Sequence, residues 1–192
     1  MFARKLVAGV AMGMFVLIIP ALAQADSGCA VSVPVTISGG HETDPRDHGR
    51  PVVLVAGGLG VTPEVFREAF SRVHPVEAGS YPNQERAQQN KAVLLEALAK
   101  YGITNQKLDV VSNAYRYKPG SGQLWPIKPA VIMAYVKNGA VISYEVIDGG
   151  AGYCSQPVLC IPGVRSSPVS VSLSFSQNLS SNGSITSVTP LR

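Results

Sequence analysis

The residues best equipped for chemistry stand together at 39–50, GGHETDPRDHGR. This box holds two of the chain's three histidines, with three acids and two arginines beside them. His41, Glu42, Asp44, Asp47 and His48 carry the donors a divalent cation takes, oxygen alone for calcium or mixed oxygen and nitrogen for zinc. Their spacing matches neither the twelve-residue calcium loop nor a His-x-x-x-His helix face. A histidine with an aspartate can also move protons, and His41 and Asp44 are the pair to test for that. No nucleophile is placed beside them in sequence. A third use is structural: the box caps the next helix while Arg46 and Arg50 pair with the acids. All three uses remain open at this stage.

A second cluster is Tyr115, Arg116, Tyr117 and Trp125. With Arg50 it supplies flat apolar faces and guanidinium groups that can stack on a sugar or a peptide. The same residues also suit a seam between subdomains. Of three cysteines, Cys154 and Cys160 flank a turn and are the expected disulfide, which leaves Cys29 as the odd thiol.

These clusters sit in a chain that carries an export address. Arg4 and Lys5 precede an apolar stretch at 6–19, Pro20 breaks it, and Ala23-Gln24-Ala25 is a small-x-small cleavage site. The stretch is short for a membrane span, which needs about 20 residues. Cleavage leaves residues 26–192 in the periplasm or outside the cell, where disulfides are permitted. The net charge of +4 includes the two basic residues of the leader. No run of lysine and arginine suggests a nucleic-acid surface. A lipid anchor on Cys29 is disfavoured, because Asp26-Ser27-Gly28 does not supply the aliphatic residue a lipobox requires.

The pattern divides the rest into an N-terminal strand at 26–40, the box and a helical subdomain at 41–120, and a β module at 121–192. Val31, Val33, Val35 and Ile37 alternate with polar residues, and Pro34 assigns that strand to a sheet edge or a bulge. Residues 51–61 suit a buried strand by propensity. They equally suit a helix capped by Asp47 and closed at Gly57, Gly58 or Gly60. Thr62-Pro63-Glu64 is a strong helix start, followed by a stripe of Val65, Phe66, Ala69, Phe70 and Val73. Asn83 and Thr104 open two more helices, and Gly102 stops the first of them. From Ala130 the period changes to two, with an Asn138-Gly139 hairpin turn and a second Asn-Gly pair at 182. The expected fold is α+β: about four helices in a small bundle, then an antiparallel sheet.

Three resemblances rest on these motifs. VVLVAGGLGVTP at 52–63 resembles the nucleotide-binding strand and turn of the ferredoxin reductase family, which would imply nicotinamide binding. No flavin barrel precedes it and no strand–helix alternation follows, as a nucleotide domain requires. Asn-Gly followed by GGAGY at 149–153 and a proline-rich turn resembles a β repeat of secreted bacterial and phage-fibre proteins, and implies architecture without chemistry. GGHETDPRD, PEVFREAF at 63–70 and the Tyr115–Tyr117 segment are similar, in that order, to a group of uncharacterised secreted bacterial proteins. The expected function is an exported, non-catalytic binding or envelope-associated protein for a protein or glycan ligand, without nucleic acid or a stable membrane span. No organic cofactor is expected, and a divalent cation is the one cofactor the box admits. The alternatives are a metal-dependent or acid–base enzyme using the box, and assembly through the β module.

Overall fold

A computed structural model describes residues 29–75, 82–116, 122–165 and 168–191. The leader at 1–25 and Tyr117 lie outside the described residues. The fold is α+β, with four α-helices and seven short strands among the described residues.

The N-terminal strand is broken in two. β1 (Val31–Pro34) pairs antiparallel with β3 (Val131–Lys137), and β2 (Thr36–Gly39) pairs antiparallel with β5 (Pro157–Cys160). Pro34 cannot donate to a ladder, and the chain changes sheets immediately after it, at Val35. β1 forms the edge of a β1–β3–β4 sheet, as its proline requires. β3 and β4 (Ala140–Asp148) are joined by Asn138-Gly139, both with positive φ (52° and 73°), the conformation of a two-residue hairpin turn. β6 (Val169–Ser174) pairs with β7 (Ser184–Pro190).

Residues 149–155 stitch these sheets together. Ala151 exchanges two backbone hydrogen bonds with Lys128, Gly152 and Tyr153 donate to the carbonyls of Asn182 and Gly183, and Cys154 donates to that of Gly40. The GGAGY motif is therefore a seam between the sheets, with Gly150 and Gly152 at positive φ (64° and 89°). Ile132, Tyr153, Leu159, Val171 and Ile185 bury one core around it.

The stretch at 51–60 resolves as helix. α1 (Val52–Leu59) starts after Pro51 without a side-chain cap and ends at Gly60 in the left-handed conformation, φ 79°. α2 (Pro63–Ser71) is capped by Thr62, whose hydroxyl accepts from the Val65 N–H at 3.3 Å. α3 (Gln84–Leu98) and α4 (Asn105–Ala114) start at Asn83 and Thr104 with the same kind of cap. α1 packs on α2 and α4, and its apolar residues are the reason it is helical here: Val52, Leu54, Val55, Ala56 and Leu59 are all buried. A helix can be apolar nearly all round when partners cover most of it. α3 lies outermost and buries only Leu98.

The expected Cys154–Cys160 disulfide is not formed; both cysteines, and Cys29, are free thiols. The strand is the reason. Cys160 pairs with Thr36 at one end of β5, while Cys154 lies beyond the other end, against Gly40. Extended chain advances about 3.3 Å per residue, far outside the Cα separation of about 5.5–6 Å that a disulfide takes.

Candidate functional site

The polar box is a short loop between β2 and α1, and its shape comes from local chemistry. Asp44 caps a 3₁₀ turn at Pro45–Asp47, accepting from the Arg46 N–H at 2.9 Å. Its carboxylate also takes the Arg46 guanidinium, with one contact at 2.6 Å. These hydrogen bonds and the positive charge hold the Asp44 carboxyl well below the usual carboxylate range. His48 ends the turn in the left-handed conformation, φ 49°, with its side chain exposed.

Asp47 was expected to cap α1, and the structure gives it a different partner. Its buried carboxylate receives a two-pronged pair of hydrogen bonds, 2.8 Å each, from Arg67 on α2. Arg67 also lies 3.6 Å from Asp44 and 3.4 Å from Glu64. Arg50 stands 4.9 Å over the Phe70 ring. The loop is therefore clamped to α2 by charge and by a cation over an aromatic face.

Its N-terminal side is clamped to the glycine seam. The His41 ring stacks on Tyr153 at 5.2 Å and meets Trp125 edge-on at 6.4 Å. His41 Nδ1 is 3.3 Å from the Gly152 carbonyl, which also accepts from Trp125 Nε1 at 2.8 Å. Ser155 donates its hydroxyl to the Glu42 carboxylate and accepts from the Glu42 N–H. The Ser155 hydrogen bond lowers the Glu42 pKa. Cys154 points its thiol at the Glu42 carbonyl, 3.4 Å away, and burial, with the nearby Glu42 charge, pushes that thiol up to about 12.

Between these clamps lies a cleft of about 330 Å³, lined by Glu42, Asp44, Asp47, Arg50, Arg67, Cys154 and Ser155 among others. It joins residues from three distant parts of the chain. The five expected cation ligands do not converge on it as a set. Among the described residues no group of three or more histidines, cysteines or acids is placed to hold a metal ion. The histidines are turned elsewhere, His41 onto Tyr153 and His48 outward.

The second cluster is a seam. Tyr115 and Trp125 are buried, and Arg116 is exposed and bonded to Asn113. The Tyr115 hydroxyl accepts at 3.0 Å from Asn182, and burial raises its pKa. Asn182 is wholly enclosed. It also donates to the Leu54 carbonyl at 2.7 Å and accepts from the Ser176 N–H at 3.0 Å. Its Asn-Gly pair ends a long β6–β7 loop that lies across α1.

That loop explains the AGGLG glycines. A Cβ on Gly57 would stand 2.7 Å from Asn182 Oδ1 and 2.8 Å from Phe175 Cβ. The glycines admit a polypeptide segment against a helix, where the ferredoxin reductase resemblance would place a phosphate against a strand. Spacing in the sequence does not single out Arg67 or Ser155, and it marks Asn182 only as half of an Asn-Gly pair. Arg67 falls in the ordinary polar gap of the α2 stripe, so nothing local marks it as having a partner.

No family model, curated protein or solved structure matches the chain. No helix among the described residues is long and apolar enough to cross a membrane.

Proposed function

We propose that this is an exported, non-catalytic binding protein that takes a glycan or peptide ligand in the cleft between the polar box, α2 and the glycine seam. The observation that carries the reading is how the polar groups are spent. Asp44, Asp47, Arg46 and Arg67 hold one another, and Glu42 holds Ser155. Such pairs fix a rigid, polar-walled recess, the kind of surface that binds by preorganised hydrogen bonding. A nucleophile would need activation. Cys154 is suppressed by burial and by the Glu42 charge, and Ser155 donates to the Glu42 carboxylate, whose lowered pKa makes it a weak base. The leader-like N-terminus supplies the export part of the proposal.

Native mass spectrometry of the protein from the exported fraction, with and without chelator, tests it, with Glu42→Gln/Ser155→Ala alongside. The expected result is a chain starting at Asp26 that retains a chelator-resistant mass, lost in the double variant. A mass removed by chelator alone would replace this reading with a cation site. A bare chain would remove the tight-ligand reading.

A further inference from the structure

We propose that Asn138 is a succinimide-forming modification site, and that Asn182, in the same dipeptide, is not. The two Asn-Gly pairs that the sequence matches to one another occupy opposite environments, so the chain carries its own control.

Asn138-Gly139 forms the tip of the β3–β4 hairpin, and both residues are exposed. No hydrogen bond to the Asn138 side chain or from the Gly139 N–H occurs among the described residues. A Cβ placed on Gly139 would meet nothing within 4 Å, so the peptide nitrogen is open to solvent and to the neighbouring side chain.

The chemistry needs water and no other reagent. The Gly139 backbone nitrogen attacks Asn138 Cγ, and a new N–Cγ bond closes a five-membered ring. The Cγ–Nδ2 bond breaks, and the proton lost from the attacking nitrogen leaves with the amide as ammonia. Water then opens the ring at one of its two carbonyls. Attack at Cγ yields aspartate, and attack at the backbone carbon yields isoaspartate, with the chain now running through Cγ. Either product places a negative charge beside Lys137, and the second lengthens the turn by one carbon.

At Asn182 each step is blocked. The leaving amide donates to Leu54 and Tyr115, the carbonyl accepts from Ser176, and the attacking nitrogen of Gly183 donates to Ser174 at 2.9 Å. Reaction there waits on an opening event that breaks these bonds, which slows it about a hundredfold or more.

The test is peptide mapping of the intact folded protein after incubation in mildly alkaline buffer, with a synthetic peptide of residues 135–143 in the same tube. The expected result is conversion at Asn138, seen as the mass change of amide to acid and as a split aspartate/isoaspartate peak, rising with hydroxide concentration. Asn182 stays an amide until denaturant is added, when both sites convert. An unchanged Asn138 while the free peptide converts would overturn the proposal, because the turn would then protect it. Equal conversion at Asn182 in the folded protein would overturn the contrast.

Discussion

Cys154 shows how far environment, rather than residue type, decides reactivity. Its thiol is half-buried at the cleft wall, aimed at a backbone carbonyl and beside the Glu42 carboxylate, and its pKa rises to about 12. The thiolate is the reactive form, so burial and a nearby negative charge both suppress it. Cys29 and Cys160 are exposed. We expect a maleimide or iodoacetamide pulse at pH 8 to label Cys29 and Cys160 in the folded protein and to spare Cys154, which reacts once denaturant is added. Equal labelling of all three would show that Cys154 is open. The linkage has a definite sign. A thiol whose folded pKa lies above its unfolded value near 8.5 contributes stability that is complete below that value. The contribution fades as pH rises from there towards 12. Adjacency in sequence suggested a disulfide for this residue. An extended strand between the two cysteines, visible only once β5 is paired, is what forbids it.

At the scale of elements, the informative case is α1. Its sequence satisfied two templates, because an apolar run fits a buried strand and a buried helix equally well. What separates them is the surroundings: α2 and α4 pack on it, and the β6–β7 loop lies on its glycine face. Glycine inside a helix costs up to about 1 kcal/mol relative to alanine, so Gly57→Ala ought to stabilise an isolated α1. Here the added methyl meets Asn182 and Phe175 at under 3 Å, and overpacking of that kind costs about 1–3 kcal/mol. We expect Gly57→Ala to lower the urea midpoint, against the direction of helix propensity, with an unchanged slope. A raised midpoint would mean the loop yields without cost. The other helices were legible because their starts are local. Thr62, Asn83 and Thr104 each satisfy an N–H within three residues, and no tertiary information is needed to see it. The split of the N-terminal strand was less so, although Pro34 marked where it happens.

The whole molecule is held by polar groups that join two apolar cores. One core gathers around α1, α2 and α4, and the other around the sheets. Asn182 bridges them, with Leu54 and Tyr115 on the helical side and Ser176 in the β6–β7 loop. Sequence could not disclose this. An Asn-Gly pair between strands carries the same local signal whether it faces solvent, as at 138, or is enclosed, as at 182. For the same reason the cleft was half legible: the box announced its polar residues, but Arg67 and Ser155 become its partners only through packing. If the bridge couples the cores, the protein unfolds in one transition, followed identically by far-UV circular dichroism and by fluorescence of Trp125, the chain's single tryptophan. Asn182→Ala leaves the enclosed Leu54 carbonyl and Tyr115 hydroxyl, and the part-buried Ser176 N–H, without that partner. Each costs about 1–3 kcal/mol, so the variant should lose roughly 3 kcal/mol or more. Tyr115→Phe removes one of those bonds and should lose about 1 kcal/mol. If coupling runs through Asn182, the Asn182→Ala transition also separates by probe, fluorescence from circular dichroism, while Tyr115→Phe keeps them coincident. A large loss of stability with the probes still together would assign the coupling to the glycine seam at 149–155, where backbone hydrogen bonds cross between the sheets.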